Sequence, residues 1–91
     1  MKNYVDVVGI DVSKLTIDAH IHHKSVHRVF SNAPKGYRAL LSWTKKYLAE
    51  QSYFFCFENT GHYSANLSVY LSETNIGYVE ESPLAIKRSV G

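Results

Sequence analysis

The stretch Val7-Val8-Gly9-Ile10-Asp11-Val12-Ser13-Lys14, VVGIDVSK, puts a carboxylate at the end of an apolar, β-branched run and follows it with a hydroxyl and an ammonium. An unpaired charge is costly in such a run, so Asp11 either sits in an exposed turn or has something to hold. Upstream of it, residues 4–10 read as a strand that breaks at Gly9 and Asp11. Downstream, residues 15–21 alternate strictly. Leu15, Ile17, Ala19 and Ile21 fall on one face and Thr16, Asp18, His20 and His22 on the other, the period of a half-buried strand. Residues 26–30 supply a third short strand after His23-Lys24-Ser25, which predicts an antiparallel meander.

The period then changes. Tyr37, Leu40, Leu41, Thr44, Tyr47 and Leu48 recur at helical spacing, with Asn32 and Pro34 as cap and first-turn signals, and Trp43 stands off that face at a rim or interface. Residues 53–57 are apolar at every position, as suits a strand buried on both faces, and the run ends in Glu58. After Glu58-Asn59-Thr60-Gly61-His62, a second helix is marked by Tyr63, Leu67, Tyr70, Leu71 and Thr74 and stopped by residues 75–77. Residues 78–80 read as a short strand, and Ser82-Pro83 opens a last helix.

The order is therefore β-β-β-α-β-α-β-α. Strands separated by a helix favour right-handed crossovers and parallel pairing, which lays the strand ending in Glu58 beside the one ending in Asp11. Both acids then stand at the C-terminal ends of neighbouring strands, where open α/β sheets gather ligands. Two carboxylates so placed repel, and one stays protonated unless a divalent cation compensates. Magnesium, which takes carboxylate and phosphate oxygens together, fits that role.

Bulk composition agrees with one small domain. Ninety-one residues, 45% hydrophobic and 20% charged, suit a single globular unit over 1–91. A net charge of +2 neither requires nor excludes a nucleic-acid partner. The lone Cys56, inside an apolar run, builds no disulfide framework and fits a reducing, cytoplasmic setting. No apolar run approaches the roughly 20 residues of a membrane span, and no export signal opens the chain.

The segments GIDVSKLTIDAHI, FSNAPKGYRALLSW, FENTGHYSANLSVYL and GYVEESPLAIKRSVG resemble, nearly end to end, the N-terminal domain of DEDD-type insertion-sequence transposases. That group includes the Piv-type DNA invertases and the bridge-RNA-guided recombinases. The resemblance implies an α/β, ribonuclease-H-like (RuvC-like) fold: a mixed five-stranded sheet, meander plus parallel strands, flanked by helices. It implies four acids holding two magnesium or manganese ions for DNA strand cleavage and joining, of which Asp11 is the first and Glu58 the second. The family's remaining two aspartates lie just beyond the point where this sequence stops, so the chain reads as a domain truncated before the second acidic pair and is expected not to cut DNA alone. DNA as partner, a guide RNA and homo-oligomerisation are implied for the full-length protein.

Other residues carry weaker signals. Lys14 can contact a phosphate or remain solvated, and Thr60, Gly61 and His62, at a helix start, can face a nucleic-acid backbone or simply cap the helix. Asp18 is expected to be exposed or paired. His20, His22, His23 and His27 crowd the second hairpin, without zinc-site spacing. Two rival readings share this element order. An actin- or sugar-kinase-like ATP-binding domain would want a glycine where the turn has Ser13, and a non-catalytic interaction domain would use its sheet edge or His-rich hairpin to self-associate.

Overall fold

Where apolar residues alternate the chain forms strands, and where they recur at helical spacing it forms helices. A computed structural model describes residues 5–49 and 52–81. In chain order the elements are β1 (Val5–Val12), β2 (Thr16–Ile21), a single 3-10 turn (His22–Lys24), β3 (Val26–Ser31), α1 (Pro34–Leu48), β4 (Ser52–Glu58), α2 (His62–Glu73) and β5 (Tyr78–Glu81). The helix expected from Ser82-Pro83 lies outside the described residues.

The sheet order is β3-β2-β1-β4-β5. β1 to β3 form the antiparallel meander, and β1, β4 and β5 run parallel. This is the ribonuclease-H-like arrangement anticipated from the sequence. Two successive crossovers of one hand, proceeding in one direction across the sheet, bring α1 and α2 onto the same face. There Val8, Ile10, Ile17, Ala19, Ile21, Phe30, Phe55 and Phe57 meet Tyr37, Leu40, Trp43, Leu48, Leu67 and Leu71 in one core. Each large apolar side chain buried there stabilises the fold by roughly 1.5–3 kcal/mol.

On the opposite face, Val7, Gly9 and Asp11 of β1 stand beside Phe54, Cys56 and Glu58 of β4 and Asp18 and His20 of β2. No described element covers it, so β4 is not buried on both faces: Phe55 and Phe57 are buried, whereas Phe54 and Cys56 are only half-buried. Other expectations also shift. β1 runs on through Asp11 to Val12, so the carboxylate is part of the strand, and Leu15 falls in the turn, 74% exposed. Trp43 is buried, edge-on to Phe30 at 5.5 Å, because the twisted meander brings β3 under that side of α1. Tyr47 and Tyr63 are exposed instead. Pro34 opens α1 as anticipated, but Ala33 occupies the cap position and Asn32 bonds elsewhere.

Burial raises Tyr37 and Tyr53 above their ordinary value of 10.0. As pH rises the unfolded phenols lose their protons first, so the stability these residues contribute is complete below pH 10 and is lost as pH climbs through their folded values. Denaturant midpoints are expected to hold to about pH 9 and to fall above about pH 10, with a smaller fall in Tyr37→Phe.

Candidate metal centre

The parallel register pairs Ile10 with Phe57, and Asp11 and Glu58 are the next residues on their strands. Ile10 and Phe57 point into the core, so by alternation Asp11 and Glu58 share the open face. Both are exposed, Asp11 with 87% of its side chain accessible. Asp11 is also the cross-strand partner of Asp18, and Glu58 that of Glu81. Four acidic positions therefore follow one another across β2, β1, β4 and β5 at one end of the sheet. Like charges directly opposite are destabilising, and among the described side chains Asp11 and Asp18 stand so.

His20 is the one described base against this row. Its Nε2 lies 3.4 Å from Asp18 Oδ1 and 3.8 Å from Asp11 Oδ2. Asp18 is half-buried, and its Oδ1, shut off from solvent, has no hydrogen bond among the described residues. His20 in turn stacks on its cross-strand partner His27, ring centroids 5.1 Å apart. Asp18, expected to be exposed or paired, is thus the flank of the acidic row. Among the described residues no three His, Cys, Asp or Glu side chains form a group able to hold a metal ion. The donors offered are two exposed carboxylates, hard oxygen ligands that suit magnesium or manganese and that would need further ligands.

The loops beyond the two acids are fixed internally. In the β1–β2 turn the Ser13 amide donates to Thr16 O at 2.9 Å, and Ser13 Oγ lies 2.9 Å from Thr16 Oγ1. Ser13 therefore closes the turn, leaving the Asp11 carboxylate unengaged by it, and Lys14 is exposed at its tip. After β4, the Gly61 amide donates to Asn59 Oδ1 at 2.8 Å and the Thr60 amide to Ser64 Oγ at 3.1 Å. The amides of Thr60 and Gly61 thus point into their own turn, and a phosphate arriving there would meet the exposed Gly61 and His62. Gly61 holds φ 66°, ψ −122°, a conformation that side chains resist.

Three polar residues hold the elements together in ways the sequence did not show: Glu80 and Asn32, which reads in sequence only as a helix cap, at this end of the sheet, and Asp6 at the other. Glu80 of β5 takes hydrogen bonds from Ser64 Oγ at 2.9 Å and Ser68 Oγ at 2.7 Å, pinning the start of α2 to the sheet. The signal was present as serines four apart, flanking Leu67 on the apolar side of α2. Asn32 bonds both loops. Asp6, fully buried on the helix side of β1, has its Oδ1 2.9 Å from His23 Nδ1 and accepts the Val7 amide at 2.8 Å. Nothing in the spacing distinguished Asp6 from a polar residue on a strand's outer face.

A family model described as transposase, that of DEDD transposases of the IS110 type, matches residues 8–90. No curated protein matches the chain. No helix among the described residues is long and apolar enough to cross a membrane.

Proposed function

The chain belongs to the DEDD transposase family of the IS110 type, and from that membership we propose that it contributes Asp11 and Glu58 to a divalent-metal site for cleaving and joining DNA strands. The observation that carries the reading is the register. Two exposed carboxylates stand at the C-terminal ends of neighbouring parallel strands, Asp11 one residue before the end of β1 and Glu58 last in β4, each one step past Ile10 and Phe57, on the same face, which no described element covers. When bound, magnesium or manganese would neutralise charge on the attacking and leaving oxygens of a phosphodiester.

The chain's own residues supply position. The backbone of Asp11 is held near its strand end by β2 on one side and β4 on the other, and His20 Nε2 stands 3.8 Å from its Oδ2. Lys14, exposed in the β1–β2 turn, and His62, exposed at the start of α2, would meet the DNA backbone on this reading. Two further acids would complete the four that the family's name counts. On this reading Asp11 and Glu58 by themselves bind metal weakly.

The test is a manganese or magnesium titration followed by calorimetry and NMR, on the chain and on Asp11→Asn and Glu58→Gln. Weak binding that disappears in both variants, each still folded, is the expected result. Binding that survives both substitutions would sink the assignment.

A further inference from the structure

We propose that Asn32 is a positioning residue of this site, a side chain that fixes the Asp11 turn against the start of α2, just beyond Glu58; the inference rests on the reading of Asp11 and Glu58 given above. Its Nδ2 donates to Ser13 O and to Tyr63 O, each at 2.8 Å. Ser13 is two residues past Asp11, and Tyr63 stands in the first turn of α2, five past Glu58. The backbone amide of Asn32 adds a bond to Leu15 O at 2.9 Å, on the far side of the same β1–β2 turn.

The chemistry of a primary amide explains the choice of residue. One planar group offers two N–H donors and a carbonyl acceptor, and the two loops here present two carbonyls. The Tyr37 hydroxyl donates to Asn32 Oδ1, which settles the orientation of the amide and aims Nδ2 at both loops. Tyr37 is itself buried in the core, so the contact references the two loops to the rigid body of the domain. An aspartate would keep the Tyr37 contact and the shape, but would set a carboxylate oxygen against two carbonyl oxygens.

Asn32 touches neither carboxylate, and its role is to hold their distance. The network differs from a helix cap in one respect that can be measured: it joins two segments far apart in sequence, so its loss must loosen both together. The amides of Ser13, Thr60 and Gly61, each hydrogen-bonded within its own loop, report on the two sides separately.

The experiment is amide hydrogen exchange on the chain, on Asn32→Asp and Asn32→Ala, and on Tyr37→Phe, with manganese titrations on the same samples. In Asn32→Asp, exchange at Ser13 and at Thr60 and Gly61 is expected to rise together by about tenfold, as the loss of two hydrogen bonds implies. Amides in the middle of α1 and β4 should stay protected, Asn32→Ala should show the same pattern more weakly, and manganese affinity should fall by about tenfold in parallel. Tyr37→Phe, which keeps the buried ring and loses only the hydroxyl that orients the amide, should loosen the same two segments by less than Asn32→Asp and leave the core protected. Loosening confined to one loop, spread over the whole domain, or without any change in Asp11- and Glu58-dependent metal binding would overturn the proposal. If the parent binds no metal through those two acids, the metal reading falls, while coupled loosening of the loops still decides whether Asn32 joins them.

Discussion

Gly36→Ala is expected to destabilise the domain by about 2–3 kcal/mol, against a total stability for a domain of this kind of roughly 5–15 kcal/mol. The sign is not obvious. In an open helix interior alanine is favoured over glycine by about 1 kcal/mol, and Gly36 lies in the first turn of α1. A Cβ there, however, would stand 2.7 Å from the carbonyl carbon of Ser31, 2.5 Å from its Oγ and closer still to its carbonyl oxygen. The obstacle is backbone at the end of β3, which cannot turn aside as a flexible side chain would. Either α1 lifts from the sheet, unseating Tyr37 and Leu40, or β3 bends. Gly9→Ala is the control: a Cβ at Gly9 meets nothing within 4 Å, and replacing a strand glycine should be neutral or stabilising by roughly 0.5–1 kcal/mol. Urea melts of both variants decide the matter, and equal midpoints would refute the packing argument.

His23→Ala is expected to cost about 2–3 kcal/mol, more than its surface position suggests. His23 is half-exposed, but its Nδ1 lies 2.9 Å from Oδ1 of Asp6, whose side chain is fully buried. Removing the imidazole strands a carboxyl group whose Oδ2 already lacks a hydrogen bond among the described residues. The cost comes from the group left behind, so it should be recovered when that group is removed too. The double variant Asp6→Leu/His23→Ala is expected to regain most of the lost stability, since a buried polar pair can often be replaced by an apolar residue at little cost. A double variant weaker than either single one would show that the contact itself holds the 3-10 turn against β1.

The alternation in residues 15–21 and the helical spacing in residues 37–48 made the sheet and α1 legible, because one face of each is buried and the sequence must match it. Asp11 and Glu58 were legible for the opposite reason: a charge ending an apolar strand has no place in a core. The misassignments share a cause. Leu15 and Trp43 were misplaced because burial at those positions depends on where the turn ends and how far the meander twists under α1, which no local period encodes. Asp6 and Glu80 were missed, and Asn32 reads in sequence only as a helix cap, because their partners, His23, the α2 serines and the carbonyls of Ser13 and Tyr63, are 12 to 31 residues away. Short polar side chains advertise a turn or cap in sequence, and only the fold shows which of them are bonded across it.

The sheet order has a kinetic consequence. β1 meets β2 across a short turn, whereas its pairing with β4 joins Val5 to Ser52. A hairpin closes in roughly microseconds, but the parallel pairing must bear the entropy of a long loop and wait for the α1 crossover. Folding rates of Ile17→Val and Phe57→Leu test this order: the first should slow folding, and the second should mainly speed unfolding. On the ribosome, β1, β2 and β3 can associate while β4 is still inside the exit tunnel. Asp11 then waits opposite Asp18 without Glu58, and the acidic row is completed only when β4 and β5 join the sheet.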